Sequence, residues 1–187
     1  INETIIKRAY TSADGESLYT YILSDEDGTE HYFLPIEENG VKSTTKYQDD
    51  DGLQLILDAS STTLTITDNS KNVRCYRKLS GTPTSDILGG WYLSSISDSI
   101  GNKIVFGFDG GPRPISISLQ PNGGAPIDFL TIAYDSSYNP YVIWNETSRE
   151  AMIFRYSTTY NGSISNSSTN YLRKIEYVHS TVALDLL

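Results

Sequence analysis

Cysteine, histidine and methionine are scarce in this 187-residue chain, which has one Cys, two His and one Met. The single cysteine forms no internal disulfide, so the fold has to rest on packing rather than on covalent cross-links. No apolar run approaches the roughly 18 residues that cross a bilayer, and no leader with a basic start and an apolar stretch is present. Since the chain begins at Ile1, we expect a trimmed, soluble piece of a longer polypeptide, with room for one large domain or two small ones.

Basic residues are few in the first third of the chain. Residues 1–60 hold thirteen of the 23 acidic residues but only four of the 14 basic ones, so the whole net charge of -9 lies there. This region would repel a phosphate backbone or an anionic membrane surface, and no stripe of Lys and Arg elsewhere compensates. We therefore expect no nucleic-acid partner and no membrane span.

Helical periodicity is almost absent, and short alternations of apolar and polar residues take its place. In ISISLQ at 115–120, every second residue is Ile or Leu, which predicts a half-buried strand. PNGG supplies a tight turn after it, and PIDFLTIAY follows as the partner strand. Similar signals predict hairpins around 25–28, 68–71 and 145–148 and a strand in YLRKIEYVH. The patterns predict an all-β meander of stacked antiparallel hairpins.

The strongest boundary signal is LSGTPTSDILGG at 79–90, where Pro and paired Gly residues interrupt any strand ladder. We expect an acidic β lobe over 1–80, a connecting loop over 81–89 and a second β lobe over 90–187. One sheet running through both lobes is the alternative. The polar insert at 157–170 predicts a mobile surface loop, and the ending TVALDLL fits either a last strand or a short helix.

An internal repeat marks the second half of the chain. Four predicted strand ends carry an aromatic or β-branched residue, a spacer and an aromatic residue, and the last members are Phe108, Tyr134, Tyr156 and Tyr177, spaced 26, 22 and 21 residues apart. Units this short cannot bury a face alone, so we expect hairpins that share a continuous core. A second repeated pattern is an Asn four residues after Asp68, Asp98 and Asp135, a spacing that is typical of turns.

These motifs carry a family resemblance. FGFDGGPR at 106–113 and IAYDSSYN at 132–139 resemble degenerate copies of the tyrosine-aspartate repeat of the RHS/YD-repeat polypeptides, and SISDSIGNKIVFGF at 95–108 is similar to the stretch before that motif. YILSDEDGTEHYF at 21–33 and YQDDDGLQLIL at 47–57 are similar to segments ahead of the repeats in secreted, wall-associated RHS proteins of Gram-positive bacteria.

The copies depart from the family motif, since Pro112 and Tyr138 replace its Gly and Ser157 replaces its Asp. The resemblance implies antiparallel strands wound into an open, curved sheet or a partial YD-type shell, with four degenerate YD-like repeats in the second lobe. It also implies a secreted or cell-surface location in a bacterium.

We therefore expect a non-enzymatic structural or adhesive module of a larger secreted or cell-surface protein, whose partner is a wall or cell-surface component, protein or glycan. The alternative is a carbohydrate-binding module in which Trp91 or Trp144 stacks on a sugar, although an aromatic side chain in a strand is buried by default. A third possibility is a glycosidase fragment, because two carboxylates suffice for that chemistry.

The sequence predicts no catalytic residue, metal site or cofactor. His31 and His179 lie in no nucleophile or metal-binding spacing. The acidic clusters at 25–27 and 49–51 supply few of the roughly six to eight oxygen ligands of calcium, so we interpret them as solvated hairpin turns. Cys75 alternates with Val73 and is predicted to face inward as a small buried hydrophobe.

Overall fold

β-strands make up all the regular structure of the described residues. The structure is a computed structural model that describes residues 3–25, 27–78, 90–111, 113–137, 139–157, 159–160, 163–164 and 171–179. The sixteen strands are β1 Thr4–Thr11, β2 Ser17–Ser24, β3 Glu30–Glu38, β4 Val41–Asp49, β5 Ile56–Ala59, β6 Thr63–Thr67, β7 Val73–Lys78, β8 Trp91–Ser97, β9 Lys103–Phe108, β10 Pro114–Gln120, β11 Ile127–Tyr134, β12 Pro140–Asn145, β13 Glu150–Ser157, β14 Thr159–Tyr160, β15 Ser163–Ile164 and β16 Tyr171–His179. In this part of the chain no helix is long and apolar enough to cross a membrane.

Fourteen of the strands form one antiparallel meander. Each strand pairs with its successor as far as β13, which pairs with β16, while β14 and β15 form a separate two-stranded ribbon. The predicted hairpins around 25–28, 68–71, 121–124 and 145–148 are all present. The all-β class and the antiparallel meander are therefore confirmed.

The first eight strands close into a barrel. Closure occurs because β1 pairs with β2 on one side and with the start of β8 on the other, where Thr4 lies opposite Tyr92 and Ile5 opposite Trp91. The prediction of an open, curved sheet is wrong for this region. Alternation along each strand shows that one face is buried, but it does not show whether the two ends of the sheet meet, and closure both encloses a core and removes unpaired edges.

The rest of the sheet grows from β8, whose outer edge is divided between two neighbours. Its first residues pair with β1, whereas Ser95, Ile96 and Ser97 pair with β9. Between these stretches an extra residue, Ser94, bulges out of the pairing with β7. β9 to β13 and β16 therefore continue the barrel sheet past the closure point, and we call these six strands the extension.

The boundary predicted at 81–89 lies outside the described residues. β8, which follows it, completes the barrel, so a single sheet includes strands from both predicted lobes. The polar insert at 157–170 is described only in part, through the β14–β15 ribbon. The ending TVALDLL lies outside the described residues.

The main hydrophobic core fills the barrel, and every barrel strand contributes to it. Its buried members are Ile5, Tyr21, Leu23, Phe33, Tyr47, Leu55, Leu57, Leu64, Ile66, Tyr76, Trp91, Leu93 and Phe106. The rings of Tyr21 and Tyr47 meet edge to face with centroids 4.8 Å apart. Phe106 comes from β9, so the extension begins by packing against the barrel.

The sheet face that lines the barrel continues along the extension. Residues directly opposite each other on antiparallel strands share a face. Ile96 packs against the barrel core, and Ile104, Leu119 and Ile127 follow it in register on β9, β10 and β11. We call the face that carries this row the inner face and the opposite one the outer face.

A second, smaller cluster lies on the outer face of the extension. Val142, Trp144 and Ala151 are buried there. Trp144 lies opposite Thr131 on β11, whereas the neighbouring residue of that strand, Ile132, belongs to the inner face. The extension therefore buries its own core on the side of the sheet opposite to the barrel core.

Three of the four repeat positions are equivalent. Phe108, Tyr134 and Tyr156 lie at the ends of β9, β11 and β13, which run in the same direction. Tyr177 lies on β16, which runs antiparallel to β13, and faces Met152. Phe108 packs against the barrel core, and the Tyr134 hydroxyl donates to the Pro114 carbonyl at 2.8 Å, but Tyr177 is 64% exposed. The fourth copy repeats the spacing but not the position at a strand end.

Candidate functional site

One five-residue turn recurs wherever Asn follows Asp by four residues. At Asp68, Asp98 and Asp135, the Asp N–H donates to the carbonyl of that Asn at 3.1, 3.0 and 3.0 Å. The carboxylate in turn accepts the backbone N–H of the Asn at 2.9 Å in each copy. Hydrogen bonds from the Asn lower the pKa of all three carboxyls. The weak echo in the sequence therefore marks a true structural repeat.

Two of these turns flank a groove where the barrel meets the extension. We call it the junction groove; it has a volume of about 580 Å³ and a floor of Ile96, Ile104 and Leu119 on the inner face. The turns at 68–72 and 98–102 form part of its rim. The turn at 135–139 joins β11 to β12 and so lies at the opposite end of the strands. The volume is in the range of small-molecule sites, roughly 300–1,000 Å³.

The charged groups at the rim of the junction groove are Asp68, Arg74, Asp98 and Lys103. Both carboxylates are held in their turns by Asn partners, and the Arg74 guanidinium donates to Glu3 at 3.1 Å. A general acid or base has to be positioned on a substrate with a pKa near the working pH. Two carboxylates of lowered pKa inside closed turns are poorly placed for proton transfer. The apolar floor of the groove is suited to an apolar group.

A second groove lies at the fork where β9 separates from β8. We call it the fork groove; it has a volume of about 560 Å³, and its charged lining residues are Arg77, Lys78 and Lys103, with no acidic side chain among the described ones. The Lys78 ammonium lies 6.0 Å from the centre of the Trp91 ring. This is a locally basic site in a chain of net charge -9.

The two acidic clusters meet at His31. Its Nδ1 lies 2.8 Å from the Asp51 carboxylate, and its Nε2 lies 3.3 Å from that of Asp25. Desolvation of the ring opposes protonation, but the two carboxylates outweigh it and raise the pKa of His31. From the sequence, the two acidic clusters are interpreted as separate solvated turns. The spacing of residues along the chain does not indicate that a histidine on β3 lies between them.

Neighbouring acids of these clusters have structural roles. Asp49 is buried, and its carboxylate accepts the N–H groups of Leu53, at 2.7 Å, and Leu55. Asp27 accepts the Thr29 hydroxyl at 2.6 Å. A search of the described residues finds no group of three or more His, Cys, Asp or Glu side chains arranged to hold a metal ion.

Both tryptophans proposed for sugar stacking are buried. Trp91 is 5% exposed in the barrel core, and Trp144 is 7% exposed in the outer-face cluster. Little of either ring remains to stack on a sugar from solution. Cys75 lies opposite Thr65 and Ser95 and alternates with the buried Tyr76, so the prediction that it faces inward is wrong. The larger apolar neighbour takes the inner face.

Several exposed apolar side chains lie on the inner face of the extension. Its exposed side chains include Leu119 at 43%, Ile127 at 60%, Met152 at 43%, Ile175 at 54% and Tyr177 at 64%. A second row runs across it in register, from Ile132 through Ile143 and Met152 to Tyr177. Exposed apolar surface of this continuity marks an interaction surface. The sequence shows the alternation of these strands but not which face is left uncovered.

Comparison with protein-family models and with curated proteins gives no relative. No protein-family model matches the chain, and no curated protein shows significant similarity to it. The resemblance to the RHS/YD-repeat polypeptides therefore depends on the short motifs alone.

Proposed function

We propose that this chain is a non-enzymatic structural or adhesive module of a larger secreted or cell-surface bacterial polypeptide. In this role the closed barrel is an anchor, and the extension is a platform whose inner face is covered on assembly. The observation that carries the proposal is the apolar inner face, which leaves the barrel core at Ile96 and carries exposed side chains as far as Tyr177.

The barrel is suited to the anchoring role because it buries its core by itself. Phe33, Leu57 and Leu64 are 0% exposed within it. The extension has only the small cluster around Trp144, so its inner face lacks a counterpart among the described residues. A module that keeps one half self-sufficient and the other half open is suited to assembly with further polypeptide or with a surface partner.

The repeated turns support the same role. Asp side chains close five-residue turns at both ends of the sheet, at 68–72 and 98–102 on one end and at 135–139 on the other. Closed turns hold neighbouring strands in register at little cost in loop entropy. The resemblance of the aromatic repeats to YD repeats, which wind strands into casings, is consistent with a scaffold. His31 fits this role too, since both ring nitrogens join turns.

The test compares exposed apolar residues of the two halves. Ile127→Ser and Met152→Ser alter the inner face, and Val41→Ser alters an equally apolar residue of the barrel that is 70% exposed. We expect binding of the apolar dye anilinonaphthalene sulfonate to fall several-fold in the inner-face variants and to stay unchanged in Val41→Ser. Equal dye binding in all three variants would show that the inner face is already covered and would refute the proposal.

A glycan array separates this function from the carbohydrate-binding alternative. The structural module is expected to give no saturable binding to sugars. Saturable binding that is lost in Trp144→Ala, with the variant still folded, would replace the structural proposal with the alternative. The near burial of Trp144 supports the first outcome.

A further inference from the structure

The strand β16 lies at the edge of the sheet that the structure describes. Among the described residues it pairs with β13 on one side and with no strand on the other. Apolar side chains along it are open to solvent, with Leu172 at 49%, Ile175 at 54% and Tyr177 at 64% exposure. An unpaired edge of nine residues presents a row of N–H and C=O groups that can pair with another strand.

Edge strands are often protected from pairing by charged side chains, so the charges of β16 have to be considered in register. Arg155 on β13 and Lys174 on β16 lie opposite each other, and both donate to Glu176, at 2.9 and 2.8 Å. Two cations thus share one carboxylate on the outer face at the edge of the sheet. A like-charged pair directly across two strands is unfavourable unless further carboxylate compensates it.

We propose that β16 pairs with β16 of a second copy of this chain, antiparallel and centred on Ile175. This twofold register places Lys174 opposite Glu176 of the partner copy, and Glu176 opposite Lys174 of the partner copy. Ile175 then meets its own equivalent on the inner face. Each Lys174 gains a second carboxylate directly opposite, and an isologous contact of this kind repeats itself by symmetry.

Neighbouring registers are less favourable. A pairing centred on Lys174 places the two Lys174 ammonium groups opposite each other. A pairing centred on Glu176 places the two Glu176 carboxylates opposite each other. If the twofold axis passes between two residues, the inner face of one copy lies on the same side of the joined sheet as the outer face of the other. This follows because side chains alternate between the two faces along a strand. Among these neighbouring registers, the one centred on Ile175 matches both charge and apolar face.

The pairing has a consequence for the whole molecule. It joins the two extensions into one sheet and makes their inner faces continuous, with a barrel at each end. This inference goes beyond the proposed structural function: it adds a second copy as the partner of the sheet edge, and the joined inner faces stay open to the polypeptide or surface that covers them on assembly. The dimer and the proposed function can be tested separately, because the variants that alter the edge differ from those that alter the inner face.

The test uses charge reversal on the full chain. Lys174→Glu places acidic groups opposite Glu176 of the partner, and Glu176→Lys places basic groups opposite Lys174. We expect the unaltered chain to sediment as a dimer of twice 20.8 kDa and each variant to associate roughly tenfold more weakly. An equimolar mixture of the two variants restores opposite charges in the mixed dimer, so the dimer is expected to return.

Three results would overturn the pairing: an unaltered chain that stays monomeric at all concentrations, a dimer that both variants leave intact, or a mixture that does not recover. Lys71→Glu, in an exposed turn of the barrel, is the matched control and is expected to change nothing. Should a variant fail to fold, amide exchange of the unaltered chain decides the question. Alternate N–H groups of β16 gain protection as protein concentration rises only if the edge pairs. A monomer with an intact dye-binding face would refute the dimer and leave the structural function standing.

Discussion

The barrel and the extension are built from the same kind of antiparallel hairpin, yet they differ in how they bury their inner face. In the barrel, Ile66 is 1% exposed, whereas Ile127 on the same face of the extension is 60% exposed. The two residues have identical side chains on neighbouring parts of one sheet. Closure, and not composition, therefore decides which apolar residues form a core.

The difference originates at β8. Thr4 and Ile5 close the barrel against its first residues, and β9 takes the rest of the same edge. Because its edge is divided between β1 and β9, β8 closes the barrel and also starts the extension, and the sheet is not interrupted. The barrel gains a self-sufficient core in this way, and the extension is left with an open face and a small outer-face cluster around Trp144.

The largest effect is expected from truncating the same side chain in the two regions. Ile66→Ala removes a fully buried side chain from the barrel and is expected to cost about 2–5 kcal/mol in the free energy of unfolding. Ile127→Ala removes a side chain that is already in water and is expected to stay within about 0.5 kcal/mol. Urea denaturation of both variants measures the difference. Equal costs would mean that the extension buries its inner face as the barrel does.

The next comparison concerns two glutamates that each accept two donors. In the barrel, Glu3 accepts the Tyr76 hydroxyl at 2.9 Å and the Arg74 guanidinium at 3.1 Å. Glu3→Ala leaves the buried Tyr76 hydroxyl without its partner, so we expect a cost of about 1–3 kcal/mol. Glu176 accepts Arg155 and Lys174 at the exposed edge of the extension.

Because water screens the edge cluster, Glu176→Ala is expected to cost much less than Glu3→Ala. The measurement is thermal unfolding of both variants at low and high salt. The Glu176 effect is expected to shrink with salt, and the Glu3 effect is expected to persist. A Glu3 variant as stable as the unaltered chain would show that the network at the barrel end contributes nothing.

The sequence predicts local features better than global closure. The alternation in ISISLQ and the turn residues of PNGG fix a strand and a hairpin, because period and turn chemistry are local properties. Whether β1 reaches β8 depends on the accumulated twist and stagger of eight strands, which no single segment carries. The sequence therefore predicts the meander and misses the barrel.

The candidate sites follow the same rule. The Asp–Asn turns are visible in the sequence because both partners lie within five residues. The contact of His31 with Asp51 spans 20 residues and arises only when β3 and β4 pair. The exposed inner face depends on closure as well, since the same alternation is buried in one half of the sheet and exposed in the other.

A smaller effect is expected from the turns, where the barrel and the junction use different residues at the same position. Lys71 holds a φ of 66° in the turn at 68–72, and Gly101 holds 95° in the turn at 98–102. A non-glycine residue in this left-handed region lowers the free energy of unfolding by about 1–2 kcal/mol through strain. Glycine avoids that strain, but it lowers the free energy of unfolding by about 0.4–1 kcal/mol because it makes the unfolded chain more flexible. Lys71→Gly is therefore expected to stabilise by a few tenths of a kcal/mol.

The reverse change tests the same turn at the junction. Gly101→Ala is expected to destabilise by about 1 kcal/mol, because the residue keeps its positive φ and the added Cβ meets the Asn122 side chain at 2.9 Å. Chemical denaturation of the two variants gives the sign of each effect. Two changes of the same sign would show that the turns are not equivalent, whatever their shared hydrogen bonds.

The smallest expected effect is the pH dependence of stability that His31 gives to the barrel. His31 in the barrel has a raised pKa, since Asp51 and Asp25 outweigh the desolvation of its ring. Its contribution to stability is then full below the unfolded value of 6.5 and is lost as the pH rises through the higher folded value. For an ion pair near the surface we expect a few tenths of a kcal/mol.

His31→Gln is therefore expected to be less stable than the unaltered chain below pH 6.5, with the gap closing as the pH rises. Urea denaturation across this range gives the stabilities, and proton NMR of the His31 imidazole gives its pKa directly. A gap that widens with rising pH would reverse the sign of the linkage and show that the neutral ring, bonded between the two turns, is the stabilising form.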